Sequence, residues 1–346
     1  MRPAGSTASI DRRSGGFLLL AAAVLAAAVA ACFGTSVYLH EVLIVAVLHA
    51  QYAASWDLFS GPTELDNFGH ALFIGVAAYG SALLGRHLGL SPWLSVPAGA
   101  LAAALLGAAI GALTLRLRGP YFSLATLACA AVGFKLAYLL SGVTGGEEGL
   151  SGLRTFTGEA RSDLLVCLLF FSMSMGAMWL FQRSRQGLIL RATRHNEEAA
   201  QACGLDTARC KVRAFMLSGF LAGIGGGLHG HTQMQVNPEL LAGSLCVLVV
   251  PFATVGGRGT LAGPALAAAA LTLAHEGLRA VEPYRALIFT GSLIALVWLF
   301  LDGLAAALRG ASGALRSATD GPGSTGGSGG SGGSAPSVNH PTREAP

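Results

Sequence analysis

The side chains able to do chemistry in this chain are few and scattered. Glu41, His49, His70, Lys135, His229, His231, Glu276 and Asp302 fall within apolar runs. Ionisable groups in such runs are costly, so they mark either a function or an interface with water. A proton relay needs facing carboxylates at one depth, and these residues do not assemble into such a set. Glu41, Asp302 and Lys135 lie near the ends of their runs, which favours an interfacial role, and Glu276 can pair with Arg279 three residues on. No Ser-centred elbow or His-Glu-x-x-His helix occurs, so no catalytic residues are expected. The six cysteines include no Cys-x-x-Cys pair, and no metal site or cofactor is indicated. No GxxxxGK[ST] loop is present. The run GGRGTLAGP at 256–264 lacks the strand context and the Lys-Ser/Thr ending of a phosphate cradle. The chain therefore has no P-loop with which to hydrolyse ATP.

These residues sit in elements of one kind. Of 346 residues, 53% are hydrophobic and 12% charged, with a mean hydropathy of +0.59. Soluble domains carry about 25% charged residues, so a water-soluble enzyme is excluded, as is disorder over most of the chain. The net charge of +4 is too small to suggest nucleic acid. Apolar runs at 17–34, 37–57, 68–85, 93–115, 120–140, 164–182, 213–233, 243–256, 262–281 and 286–305 predict about ten membrane helices. The fold class is all-α and polytopic. The run 243–256 is short and precedes Gly256, Gly257 and Gly259, which predicts a broken or re-entrant helix. A cleaved leader ending near Cys32 is the rival to a first membrane helix at 17–34. Small residues four apart (Gly107 and Gly111; Gly219, Gly223 and Gly227; Gly259 and Gly263) suit close helix packing, or a face that moves.

Charge distribution orients the chain. Residues 183–213 hold seven basic residues against three acidic ones, the same surplus as the whole chain. The positive-inside rule places this loop in the cytoplasm. With ten crossings both termini are cytoplasmic, and 141–163 faces outward with Glu147, Glu148, Glu159 and Asp163. The loop 57–67, with Asp57, Glu64 and Asp66, lands inside as a misfit of sign. The domain reading is a cytoplasmic segment at 1–16, a membrane domain at 17–308 and a disordered Gly/Ser-rich tail at 309–346.

The basic loop is longer than topology demands. Glu197-Glu198-Ala199-Ala200 favours helix, and Gly204 can end it in a left-handed turn. The loop either sets topology alone or presents a short docking helix to a cytoplasmic partner.

Here a family resemblance enters. EEAAQACGLDTARCKVRAF resembles the Glu-Ala-Ala…Gly coupling loop of ABC-transporter permeases. SRQGLILRATRHNEEAAQACGLD, KVRAFMLSGFLAGIGGGLHG and GGRGTLAGP resemble permeases of branched-chain amino acid importers of the LivM type. So do FGHALFIGVAAYGSALL at 68–84, RLRGPYFSLATLA at 116–128 and TGGEEGLSGL at 144–153. The chain departs from the pattern at Glu147-Glu148, at Asn67-Phe68-Gly69 and at His229 and His231. The resemblance implies a bacterial inner-membrane permease subunit of an ABC importer. Its cargo would be branched-chain amino acids or similar small polar solutes. Its partners would be a second homologous permease, two ATPase subunits, an extracytoplasmic binding protein and membrane lipid. It further implies ATPase coupling through Arg191, Arg194, Glu198, Ala199 and Gly204. Gly145, Gly146, Glu147 and Glu148 would meet the binding protein, and Gly69, His70, Asn237 and Pro238 would line the pathway. The alternative is a stand-alone secondary transporter or channel.

Overall fold

The computed structural model describes residues 36–117 and 119–279, with positions 24, 26, 284, 288–292 and 295 outside that span. The expected helices at 17–34 and 286–305, Asp302 and the tail at 309–346 lie outside the described residues, apart from those single positions.

The element order is all-helical but for one two-residue pairing. Helix α1 spans Val37–Thr63, α2 His70–Leu88, α3 Pro92–Thr114 and α4 Pro120–Leu139. A single turn, α5, covers Ser141–Thr144 and precedes strand β1, Leu150–Ser151. Helix α6, Ala160–Arg183, is followed by the short α7, Arg185–His195, and α8, Glu197–Ala202. The long α9, Thr207–Thr232, leads to β2, Gln235–Val236, and a 3-10 turn at Pro238–Leu241. Helices α10, Gly243–Gly256, and α11, Ala262–Gly277, complete the described fold. Among the described residues, five helices (α1, α2, α3, α4 and α6) are long and apolar enough to cross a membrane.

Helix α9 is the centre of the bundle, and glycine lets its neighbours approach from three directions. A methyl group at Gly223 would lie 2.9 Å from the Ala100 Cα on α3, and one at Gly227 3.0 Å from Val96. One at Gly226 would meet the Ile74 backbone on α2, and one at Gly225 the Tyr52 ring on α1. The four-apart glycines are thus packing surfaces in this state. Because helix, not lipid, surrounds α9, it tolerates the buried polar groups Lys211, Ser218, His231 and Thr232. Phe73, Phe122, Phe59 and Phe215 fill the space between α1, α2, α4 and α9, with edge-on contacts to Phe215 and a tilted one between Phe59 and Phe122.

Two segments do not run straight. After α1 the chain turns at Glu64, whose φ is 57°, and folds back along the helix it has just left. The Asn67 carbonyl accepts from Trp56 Nε1 at 2.9 Å, and His70 Nε2 lies 3.1 Å from Ser55 Oγ. Helix α2 therefore starts well inside the bundle. Helix α10, at 14 residues, is about 21 Å long at 1.5 Å per residue, short of a hydrocarbon core of roughly 30 Å. Its first turn lies beside that of α2, where the Ala71 N–H donates to Cys246 Sγ at 3.2 Å. The 3-10 turn continues the path, with Leu241 against Gly75. The short run at 243–256 is one continuous helix, followed by Gly257 and Gly259 at positive φ.

Candidate functional site

The basic segment 183–213 is built by capping. Ser184, Asn196 and Asp206 stand at the N-termini of α7, α8 and α9, and their side chains accept from the N–H of Gly187, Ala199 and Arg209. Each satisfies a donor that a helix start leaves without an intrahelical partner. Asn196 divides the segment in two, so where the sequence predicts one short helix the structure has two, α7 and α8. Gly204 follows α8 with φ 77°, as its left-handed turn requires. Beneath the loop, Lys211 Nζ bonds Glu197 Oε1 at 2.7 Å, and Glu197 also accepts from the Thr207 hydroxyl. Ala200 and Leu190 are buried, whereas Glu198, Ala199, Gln201, Ala202, Cys203 and Gly204 form a continuous exposed surface. Arg194 bonds Glu64 at 2.7 Å, and Arg191 donates to the Gln182 carbonyl at 2.8 Å. Both arginines named for ATPase coupling thus have a partner inside this chain.

The same end of the bundle holds what the sequence reading registered only as a misfit of sign. Asp57, fully buried, accepts from the Gly259 N–H at 2.6 Å and the Leu261 N–H at 2.9 Å. These donors stand just before α11, so the carboxylate lies at the positive end of that helix. Arg258 bonds Asp66 at 2.7 Å and lies over the Trp56 ring at 5.3 Å. Gly61 admits the loop closely, because a methyl group there would sit 2.6 Å from the Gly259 nitrogen. The three acidic residues of 57–67 therefore meet basic or N–H groups of other segments. The signal for them was the misfit itself. Acidic residues on the more basic side of a membrane protein need partners there.

At the opposite end, Leu150 pairs with Val236 and Ser151 with Gln235, antiparallel. This bridge joins two regions that the sequence treated separately. Gly149 approaches Asn237 so closely that a methyl group would be 2.9 Å from its Cα. Gly145, Gly146, Gly149 and Gly152 all have positive φ, so the loop's course depends on glycine. Glu147 and Glu148 are exposed and Gly146 buried. Nearby, His231 Nδ1 donates to the Arg154 carbonyl at 2.7 Å, and its Nε2 lies 2.9 Å from Ser81 Oγ and 3.1 Å from Ser95 Oγ.

The expected pathway residues separate. Gly69 and His70 are buried at the start of α2, where Gly69 joins Asn67 and Thr126 in lining a narrow cleft. Asn237 is half-buried and Pro238 buried beside β2. Among the described residues no cluster of His, Cys, Asp or Glu could hold a metal ion.

The family model for the branched-chain amino acid transport system permease component matches residues 38–298. This chain belongs to that family. The permease is 27% identical to the high-affinity branched-chain amino acid transport system permease protein LivM of Escherichia coli K12, over 81% of this chain and 73% of the relative. It is 26% identical to the LivM protein of Salmonella typhimurium LT2, over 80% of this chain and 72% of that one. The probable branched-chain amino acid transport permease protein LivH of Methanocaldococcus jannaschii is 25% identical, over 65% of this chain and 74% of its own length. The membership agrees with the all-α polytopic fold and with the scarcity of catalytic groups. The permease is a transport component and not an enzyme.

Proposed function

We propose that the permease is the membrane subunit of an ATP-driven importer of branched-chain amino acids or similar small polar solutes. In this reading two separate ATPase subunits dock on the coupling segment. A second homologous permease completes the pathway, and an extracytoplasmic binding protein delivers the solute. The chain sits in the bacterial inner membrane with both termini cytoplasmic. ATP-driven closure of the ATPases moves α7 and α8, and alternating access follows. The observation that carries this reading is the surface Glu198–Gly204, exposed except at Ala200 and held by three side-chain caps and the part-buried Lys211–Glu197 pair. A loop that only set topology would need none of these fixings. Glu198, Ala199 and Gly204 are the docking contacts, while Arg191 and Arg194 hold the segment to the bundle. The loop at Gly145–Glu148 is the binding-protein contact. Gly69, His70, Asn237 and Pro238 flank the solute's route.

The test is reconstitution into liposomes with and without the ATPase subunits, following labelled leucine. ATP-dependent uptake only in the complete assembly is expected. Uptake by this chain alone, insensitive to ATP, would establish a secondary transporter or channel instead. Gly204→Trp should abolish ATPase binding, since among the described residues nothing beyond its chain neighbours lies within 4 Å of the added Cβ. Gly204→Ala carries the same backbone strain, about 1–2 kcal/mol, without the bulk. Equal loss in both variants would assign the effect to the turn and remove the docking role.

A further inference from the structure

The proposed docking segment and the short helix α10 are joined by a line of charged side chains. Arg194, near the end of α7, bonds Glu64 at 2.7 Å. Two residues on, Asp66 bonds Arg258 at 2.7 Å, and Arg258 is the second residue after α10. Between the two bridges lies only Leu65. Glu64 and Asp66 thus reach from one short backbone segment to two elements that are far apart in sequence.

The receiving end is stiff. Asp57 fixes the backbone at Gly259 and Leu261. A methyl group at Gly61 would be 2.6 Å from the Gly259 nitrogen, so α1 and the loop after α10 are in close register. Arg258 is also braced by Trp56 and by the Thr254 hydroxyl, at 3.4 Å from Nε. The segment between is stiff as well. Trp56 holds the Asn67 carbonyl, and the Ser123 hydroxyl donates to the Asp66 carbonyl at 2.8 Å. Displacement of Arg194 therefore draws on a braced strut and not on a slack loop. At its far end, α10 begins beside the first turn of α2, where Cys246 accepts from Ala71.

We propose that Glu64, Asp66 and Arg258 form a charge relay that transmits movement of the coupling segment to α10, and through it to the 3-10 turn and the start of α2. These are positioning residues for transport. The inference rests on the docking reading and goes beyond it, because it names the route by which motion at the docking surface reaches the interior. Both ion pairs are partly solvated, with side-chain exposures of 44% and 60% for Arg194 and Glu64 and 35% and 33% for Arg258 and Asp66. Pairs of this kind contribute little to stability. Their removal disturbs communication before it disturbs folding.

The experiment uses the complete assembly of both permeases, the ATPases and the binding protein in liposomes. It measures leucine uptake and ATP hydrolysis together. Glu64→Gln and Asp66→Asn should leave the ATPases bound and hydrolysing, while uptake per ATP falls about fivefold or more, the range of ordinary allosteric coupling. The exchanged pairs Glu64→Arg with Arg194→Glu, and Asp66→Arg with Arg258→Asp, should restore the ratio. An unchanged ratio in the single variants would overturn the relay, and so would a lowered ratio that the exchanges do not restore. Loss of ATPase binding in the Gly204→Trp assembly tests the docking reading separately, so the two can fail independently.

Discussion

Asp57→Asn isolates the charge of the buried carboxylate while keeping its shape. In the structure the two oxygens accept from Gly259 at 2.6 Å and from Leu261 at 2.9 Å. Hydrogen bonds to a charged group contribute about 1.5–3 kcal/mol each. Asparagine retains one acceptor oxygen but turns an NH2 group toward the other N–H, so one bond is lost and a donor is left unpaired. The helix-end charge, worth up to about 2 kcal/mol in partly buried settings, disappears as well. The expected loss is about 3 kcal/mol. For a chain of 346 residues, at about 2.1 cal/mol/K per residue, that corresponds to a fall of roughly 4 °C in the unfolding midpoint. The assay is monodispersity of the detergent-solubilised permease after stepwise heating, with leucine uptake in parallel. Glu64→Gln serves as the comparison, since its half-solvated ion pair contributes about 0–1 kcal/mol. If Asp57→Asn matched Glu64→Gln in midpoint, the carboxylate would not be holding the loop by charge, and the reasoning above would fail.

Two further substitutions probe packing and the outer loop. Gly226→Ala places a methyl group against the Ile74 backbone, where α2 has no side chain to move aside. Overpacking of about 1–3 kcal/mol or more is expected, seen as a lower midpoint and reduced yield, with no such effect from Gly176→Ala, whose added methyl meets nothing within 4 Å. Gly149→Ala strains a residue at φ 71° and presses on Val236 and Asn237. It should weaken stimulation of the assembly by the binding protein while leaving unstimulated ATP hydrolysis unchanged, as measured by titrating that protein.

Much of the fold was legible because lipid imposes length and apolarity on each span. The runs at 93–115 and 120–140 correspond to helices with nearly those limits. Where the limits differ, the reason is local. Helix α1 continues to Thr63 because Trp56, Asp57 and Ser60 are buried by other segments, so polar residues do not end it. Helix α6 begins at Ala160, with Asp163 accepting from the Thr157 N–H and hydroxyl. The short helix at Glu197–Ala202 was legible from Glu197–Ala200 and Gly204, whose chemistry is local. The β1–β2 bridge was not, since two residues per strand carry no periodic signal and the pairing joins distant segments. The partners of Asp57, Glu64 and Asp66 were equally hidden. Each lies more than a hundred residues away, and a single sequence shows the charge but not the contact.

The three-sided glycine packing of α9 has a consequence for how the chain enters the membrane. Glycine costs about 1 kcal/mol per residue relative to alanine in a helix, and α9 carries Gly219, Gly223, Gly225, Gly226, Gly227 and Gly230 together with Lys211 and His231. It is not among the five helices apolar enough to cross on their own composition. Its stability as a span comes from α1, α2 and α3, which precede it in synthesis and offer a protein groove in place of lipid. Insertion of α9 is therefore a docking step within a nascent bundle, and the order of the genetic message is also an order of assembly.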